Sequence, residues 1–382
     1  MKSIGFHSKI KLDEREFHIH TGNVNVKNQI LSEIFEEGKY IAARQVDYKK
    51  RQEGNDSTQE GYLKSIASKL HNETLEEINM LFQVNSKIRM LKQHNPHFKL
   101  GSVFYERNFL EEAIDNFLQV IELKHDYIPA YVRLGKSYLK LGENQKAVDI
   151  LEKGFNIQPE FPDIANSLGV ARTFLHDYEG AIEILQHAIK KNPVFDEANF
   201  NLGVALFLST VIDSKENDKV VVPSRVIRFI KSLKGMDRYN DDSWQELFQS
   251  TLDVINEGKL GDIVGGLENL QLKLITHIKL NSPIESFYLK FMYGGHELSR
   301  EELESYENKI RNQSTDRENF ADYWNELGTI HMIQCRNLFL KSLNEFKKAV
   351  DLNDNYDDAK KNLELIRNNK KGFLILLRAI LK

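Results

Sequence analysis

The sequence predicts an α+β protein, mainly α, in which a small N-terminal antiparallel β-meander precedes an α–α superhelical solenoid. Three observations predict it. Leu-Gly pairs recur every 34 residues, at Leu100-Gly101, Leu134-Gly135, Leu168-Gly169 and Leu202-Gly203. Residues 1–48 alternate apolar and polar side chains with period two, a strand pattern. Beyond them, apolar residues fall at helical spacing almost to the C-terminus.

In the N-terminal segment, Ser3 to Leu12, Glu16 to His20, Ile30 to Glu36 and Tyr40 to Tyr48 read as four short strands. Glu37-Gly38 is a hairpin signal and Asp13-Glu14 a weaker one. So short a sheet rarely holds a core alone, so it is expected to pack on a helix or on a second copy. Residues 49–60 (KKRQEGNDSTQE) are polar and read as a linker. Leu63, Ile66, Leu70, Ile78, Leu81, Ile88 and Leu91 mark one or two connecting helices over 61–93.

The repeat follows. Ala113, Ala147 and Ala181 keep the 34-residue interval, as do Phe117, Leu151 and Leu185, and Pro159 and Pro193 close two units. Each unit reads as two amphipathic helices. The glycine lets the second helix approach the first, and the alanine does the same from the other side. Proline ends one unit because it cannot continue a helix. This set of columns resembles the tetratricopeptide-repeat (TPR) family. The resemblance covers repeats at about 94–127, 128–161 and 162–195 and a fourth first helix to 208. It implies stacked helix pairs curving around a concave groove that holds peptide segments or helices of partner proteins.

The fourth repeat then breaks, with Lys215 where alanine belongs. Residues 209–318 read as an irregular helical insertion or degenerate repeats, with Trp244, Leu247, Phe248, Leu252 and Ile255, and then Leu267, Leu270, Leu274 and Ile278, at helical spacing and Val220 to Pro223 a loop or short strand. Over 319–382, Trp324, Leu327-Gly328, His331, Ser342, Phe346 and Ala349 match one more repeat with two extra residues in its turn, and a further helix ends the covered stretch at 368. The terminal segment KKGFLILLRAILK, residues 370–382, reads as a solenoid cap, with docking on a membrane or a partner as the alternative.

Chemistry is sparse. The chain of 382 residues carries a formal net charge of −4, which argues against a general nucleic-acid binder. The single cysteine, Cys335, excludes a disulfide framework and is read as structural, packed in its helix. The first residues lack a signal-peptide pattern and no apolar run nears the ~20 residues of a membrane span, so a cytoplasmic protein is expected. Leu134-Gly135-Lys136-Ser137 lacks the leading glycine of a phosphate loop, and Asp351, Asn353 and Asn355 meet Tyr356 where a calcium loop needs glycine. Arg300 replaces the second histidine of a zinc-protease helix, and no nucleophile-elbow motif occurs. No enzyme constellation is found, and no cofactor is expected. His18 and His20 share a strand face that His7 could join, which makes them the metal candidates, although solvent-facing histidines are the plainer reading.

The repeat register compares groove positions across the first helices. The second repeat offers Arg133, Lys136 and Lys140, and the third and fourth offer Val170, Phe174, Val204 and Leu208. A partner segment with an acidic part beside the cations and an apolar part beyond is expected there. Asn166 and Asn201, with Arg133 and Lys136, partly echo the carboxylate grip of some family members. The alternative is that residues 209–318 fold back and fill the apolar part. The function expected is therefore a protein-interaction adaptor or scaffold with unidentified protein partners. A homodimer through the connecting helix or sheet is a further option. The alternatives are a regulator whose β domain senses a ligand or metal and, third, an enzyme using the repeats to recruit substrate.

Overall fold

The structure, a computed structural model, describes residues 5–24, 28–48, 56–233, 242–276, 289–290, 292–294, 299–311, 321–355 and 357–380. The chain divides into two compact units, residues 1–279 and 280–382.

The first unit opens with β1 (Gly5–Leu12), β2 (Arg15–Val24), β3 (Gln29–Glu36) and β4 (Lys39–Asp47), a four-stranded antiparallel sheet in the order β1-β2-β3-β4. Both predicted hairpins turn through two left-handed residues, Asp13-Glu14 and Glu37-Gly38, the geometry that matches strand twist. Phe17, Ile19, Thr21, Ile30, Ser32 and Ile34 face inward and are buried. They meet α1 (Asp56–Ile88), whose Leu63, Ala67 and Leu70 join Ile30 and Tyr48 in one cluster. Buried His71 of α1 is satisfied by Ser8 and Thr21, each at 2.8 Å. Phe17 also packs on Phe82 of α1 and on Phe109 at the first repeat. The sheet thus gains its core by docking on helices. The predicted linker is corrected in part: residues 56–60 already belong to α1, because nothing in Asp56–Glu60 breaks a helix, while 49–55 lie outside the described residues.

Three helix pairs follow: α2 (His94–Glu106) with α3 (Leu110–Leu123), α4 (Ile128–Leu141) with α5 (Asn144–Ile157), and α6 (Pro162–Phe174) with α7 (Tyr178–Lys191). The repeat glycines sit where expected. A Cβ on Gly101, Gly135 or Gly169 would fall 2.9 Å from Phe117, 2.5 Å from Leu151 or 2.4 Å from Leu185. Each pair also turns through a left-handed residue seven positions after its glycine: Asn108, Gly142 and His176. These residue types tolerate that conformation, which β-branched side chains resist.

That column explains where the pattern ends. In α8 (Asp196–Thr210) the seventh residue after Gly203 is Thr210, whose branched Cβ disfavours the turn. A longer connection follows, with a single bridge between Lys219 and Lys259 at the Val220 segment. Then α9 (Ser224–Leu233) packs on α8 in place of the missing partner helix, and α10 (Asp242–Glu257) pairs with α11 (Leu260–Thr276). Trp244 and Phe248 of α10 are fully buried among residues of α8, α9 and α11.

The second unit contains α12 (Arg300–Arg311), α13 (Ala321–Leu352) and α14 (Asp357–Ile380). Here one expectation is corrected. The repeat predicted over Trp324 to Ala349 has no turn; those residues are one continuous helix of 32 residues. Cys335 stands seven positions after Gly328, where the repeats carry a left-handed residue, and no glycine or proline lies between Gly328 and Leu352. Among the described residues nothing approaches Gly328 within 4 Å of a Cβ position, and Trp324 is exposed. Cys335 is likewise exposed rather than packed, since the second helix expected to cover it is absent. The side chains of the predicted cap from Phe373 onward lie outside the described residues. Among the described residues, no helix is long and apolar enough to cross a membrane.

Candidate protein-binding groove

The first helices of the repeats, α2, α4, α6 and α8, stand side by side and form one face of the solenoid. Positions at i, i+3 and i+7 of each helix project from that face. Arg133, Lys136 and Lys140 of α4 do so, with Val170 and Phe174 of α6 and Val204 and Leu208 of α8. The face is covered. Helix α11 folds back and lies against α4, α6 and α8.

The contacts are those of a groove with an occupant. Leu267, Leu270 and Leu274 of α11 cluster with Phe200, Val204 and Leu208, while Ile275 and Leu272 cluster with Val170, Phe174 and Tyr131. Val170 and Val204 are therefore completely buried, although neither faces the repeat core. Burying each large aliphatic side chain contributes roughly 1.5–3 kcal/mol, so the seat is substantial. Of the two readings of this face, the structure has the fold-back: the apolar half is filled from within, by the segment with Leu267, Leu270 and Leu274. Ile278 of the same series lies outside the described residues.

A short polar chain crosses the seat. Gln271 Nε2 donates to Asn201 Oδ1 at 3.2 Å, and Asn201 Nδ2 donates to Asn166 Oδ1 at 2.9 Å. All three side chains are buried. At the other end the Tyr105 hydroxyl donates to the Thr276 carbonyl at 3.1 Å. Asn166 and Asn201, singled out for a carboxylate grip, thus serve the helix. Gln271 and Tyr105 were not anticipated; a lone glutamine on an otherwise leucine-rich helix stripe was the only signal.

The basic half is occupied less well. Lys140 Nζ lies 4.6 Å from the centroid of the Tyr105 ring. Burial first, and the Lys273 charge second, push the Lys140 ammonium down to about 8. Gln271 Oε1 is buried without a hydrogen-bond partner among the described residues. Burial also raises Glu268 of α11, against the pull of His176. The occupant therefore matches the groove in apolar shape, and its Lys273 adds a like charge to the surroundings of Lys140.

Elsewhere, His7, His18 and His20 come together on the outer face of the sheet, each offering a ring nitrogen within 4.8 Å of the others. Desolvation, followed by the charges of His20, His18 and Lys9, holds His7 below its ordinary value.

The family model described as regulator of microtubule dynamics protein 1-3 matches residues 102–179, from α2 to the start of α7. Anaphase-promoting complex subunit 3 of Dictyostelium discoideum is 34% identical over 71 residues, 19% of this chain and 7% of that protein. The chain therefore matches only a small part of that relative's length. Among solved structures, MamA is 19% identical with TM-score 0.33, covering 41% of this chain and 85% of its own. YrrB, a TPR protein with an unusual peptide-binding site, is 18% identical with TM-score 0.32, covering 55% and 98%. The Sgt2 TPR domain of Aspergillus fumigatus is 19% identical with TM-score 0.31, covering 35% and 93%.

Proposed function

We propose that this tetratricopeptide-repeat protein is an interaction scaffold whose groove is held shut by its own helix α11 until a better-matched partner helix replaces it. The observation that carries the reading is the seating of α11 against α4, α6 and α8, with Lys273 brought beside Lys140. A partner of the favoured chemistry keeps the leucine stripe and places a carboxylate where α11 has Lys273. Its charge lowers the electrostatic cost at Lys140, while its apolar stripe replaces the burial that α11 gives up. Displacement rather than simple addition follows, because one groove accommodates one helix.

The test compares full-length proteins expressed in the native cell. Lys273→Glu gives α11 the missing charge and is expected to lower partner capture. Leu270→Asp unseats α11 and is expected to raise it, after circular dichroism confirms that the repeats remain helical. Hydrogen exchange adds the direct readout: α11 amides lose protection when the captured partner binds. Equal capture by all three proteins, with α11 protected throughout, removes the displacement reading and moves the binding surface elsewhere.

A further inference from the structure

We propose that His7, His18 and His20 form a binding site for a late first-row divalent metal ion, with Zn²⁺ as the ion it takes. The sheet register makes the site. His7 of β1 lies directly opposite His20 of β2, and His18 stands two residues before His20, on the same face. Ring centroids are 4.4 Å apart for His7 and His20 and 5.6 Å apart for His7 and His18. The three ring nitrogens within 4.8 Å of one another need to close only to about 3.4 Å to surround an ion at ~2.0–2.1 Å in tetrahedral geometry. Rotation of side chains that are exposed or half-buried is enough for this, with no movement of the strands.

The platform under the site is fixed. On the opposite face of β2, Phe17, Ile19 and Thr21 are buried against α1 and the first repeat. A carboxylate-to-imidazole contact supports the ligand set. Glu16 lies 2.7 Å from His18 Nε2, which favours the tautomer with its proton there and a lone pair on Nδ1. Glu16 also holds the nearby ammonium of Lys9 at 3.4 Å, so that charge is answered. Glu33 is paired with His20 across β2 and β3, adding negative charge to the same face. Three imidazoles suit zinc and its neighbours in the first row, and leave the fourth position to water or to an incoming group. The site stands on the sheet face turned away from α1 and does not depend on the scaffold reading.

The experiment uses the untagged full-length chain, stripped with a chelator and titrated with Co²⁺ and then Zn²⁺. One equivalent of Co²⁺ per chain is expected, with the visible absorption of a tetrahedral ion, displaced by Zn²⁺. Removal of one ligand, in His7→Ala or His20→Ala, is expected to weaken Zn²⁺ binding at least 100-fold, and Glu16→Gln about 10-fold, within the range for an outer-shell partner. Zinc-edge X-ray absorption of the unaltered protein should report three imidazole nitrogens, a readout independent of any variant's folding. Absence of saturable binding overturns the proposal. So does equal affinity and stoichiometry in the unaltered protein and the His18→Gln/His20→Gln double variant.

Discussion

Replacing Lys140 with methionine tests the electrostatic mismatch at the groove. The substitution keeps an unbranched side chain and removes the ammonium. Lys140 falls from an ordinary 10.5 to about 8 in the folded protein. The sign follows directly: below about pH 8 both folded and unfolded chains hold the proton, and the folded state bears the full cost. Between about 8 and 10.5 only the unfolded chain keeps it, so stability rises with pH through that window. At about 1.36 kcal/mol per tenfold change, the cost at pH 7 is up to about 3 kcal/mol. Losing the contact with the Tyr105 ring returns about 0.5–2 kcal/mol of that. Lys140→Met should therefore stabilise the first unit by about 1–3 kcal/mol at pH 7, and the gain should vanish or reverse above pH 10.5. Trp244, buried in the first unit, reports the transition by fluorescence in a Trp324→Phe background, because the chain has two tryptophans. A difference between the two proteins that is the same at pH 7 and pH 10.5 would refute the reasoning.

The two kinds of Leu-Gly site should respond oppositely to alanine. Gly135→Ala drives a Cβ into Leu151 and should cost about 1–3 kcal/mol in urea unfolding. Gly328→Ala meets nothing within 4 Å and should raise the helicity of α13, a gain of about 1 kcal/mol. At the inter-helix turns, Gly142→Ala should lower the thermal midpoint by straining a left-handed position, a cost of about 1–2 kcal/mol. Arg15 bridges Glu36 to the buried Glu112 of α3. Arg15→Met should destabilise the sheet's docking by about 3 kcal/mol at neutral pH. Burial already raises the Glu112 carboxyl against the pull of Arg15, so protonation at acid pH should shrink that loss, which a pH series of melting curves would show.

The local code was largely legible. A period of 34 residues names its own packing partners, because a glycine on one helix and a large side chain 16 residues later must meet if the pair is to close. Alternation of period two assigned the inward face of the sheet, and paired turn residues marked both hairpins. Even the lysines, valines and leucines of the groove face could be read, since they repeat at one helical offset. What periodicity does not encode is whether a register-matched segment turns. Gly328 carries the repeat's signature, yet no glycine or asparagine stands at the turn position, Cys335, and α13 runs straight through. Nor does it encode which surfaces end up against each other. Leu267, Leu270 and Leu274 announce an amphipathic helix, but the face they bury depends on geometry far away in sequence, where α4, α6 and α8 align their open sides. The convergence of His7, His18 and His20 likewise comes from strand pairing, which sets His7 opposite His20. Sequence by itself determined the sheet, the three regular repeats and their tight contacts, since these rest on neighbours in the chain. Tertiary structure alone decided that the groove is filled by α11 and that Lys140 is buried beneath it with Lys273 in its field, because burial and charge at a surface depend on what the rest of the chain lays across it.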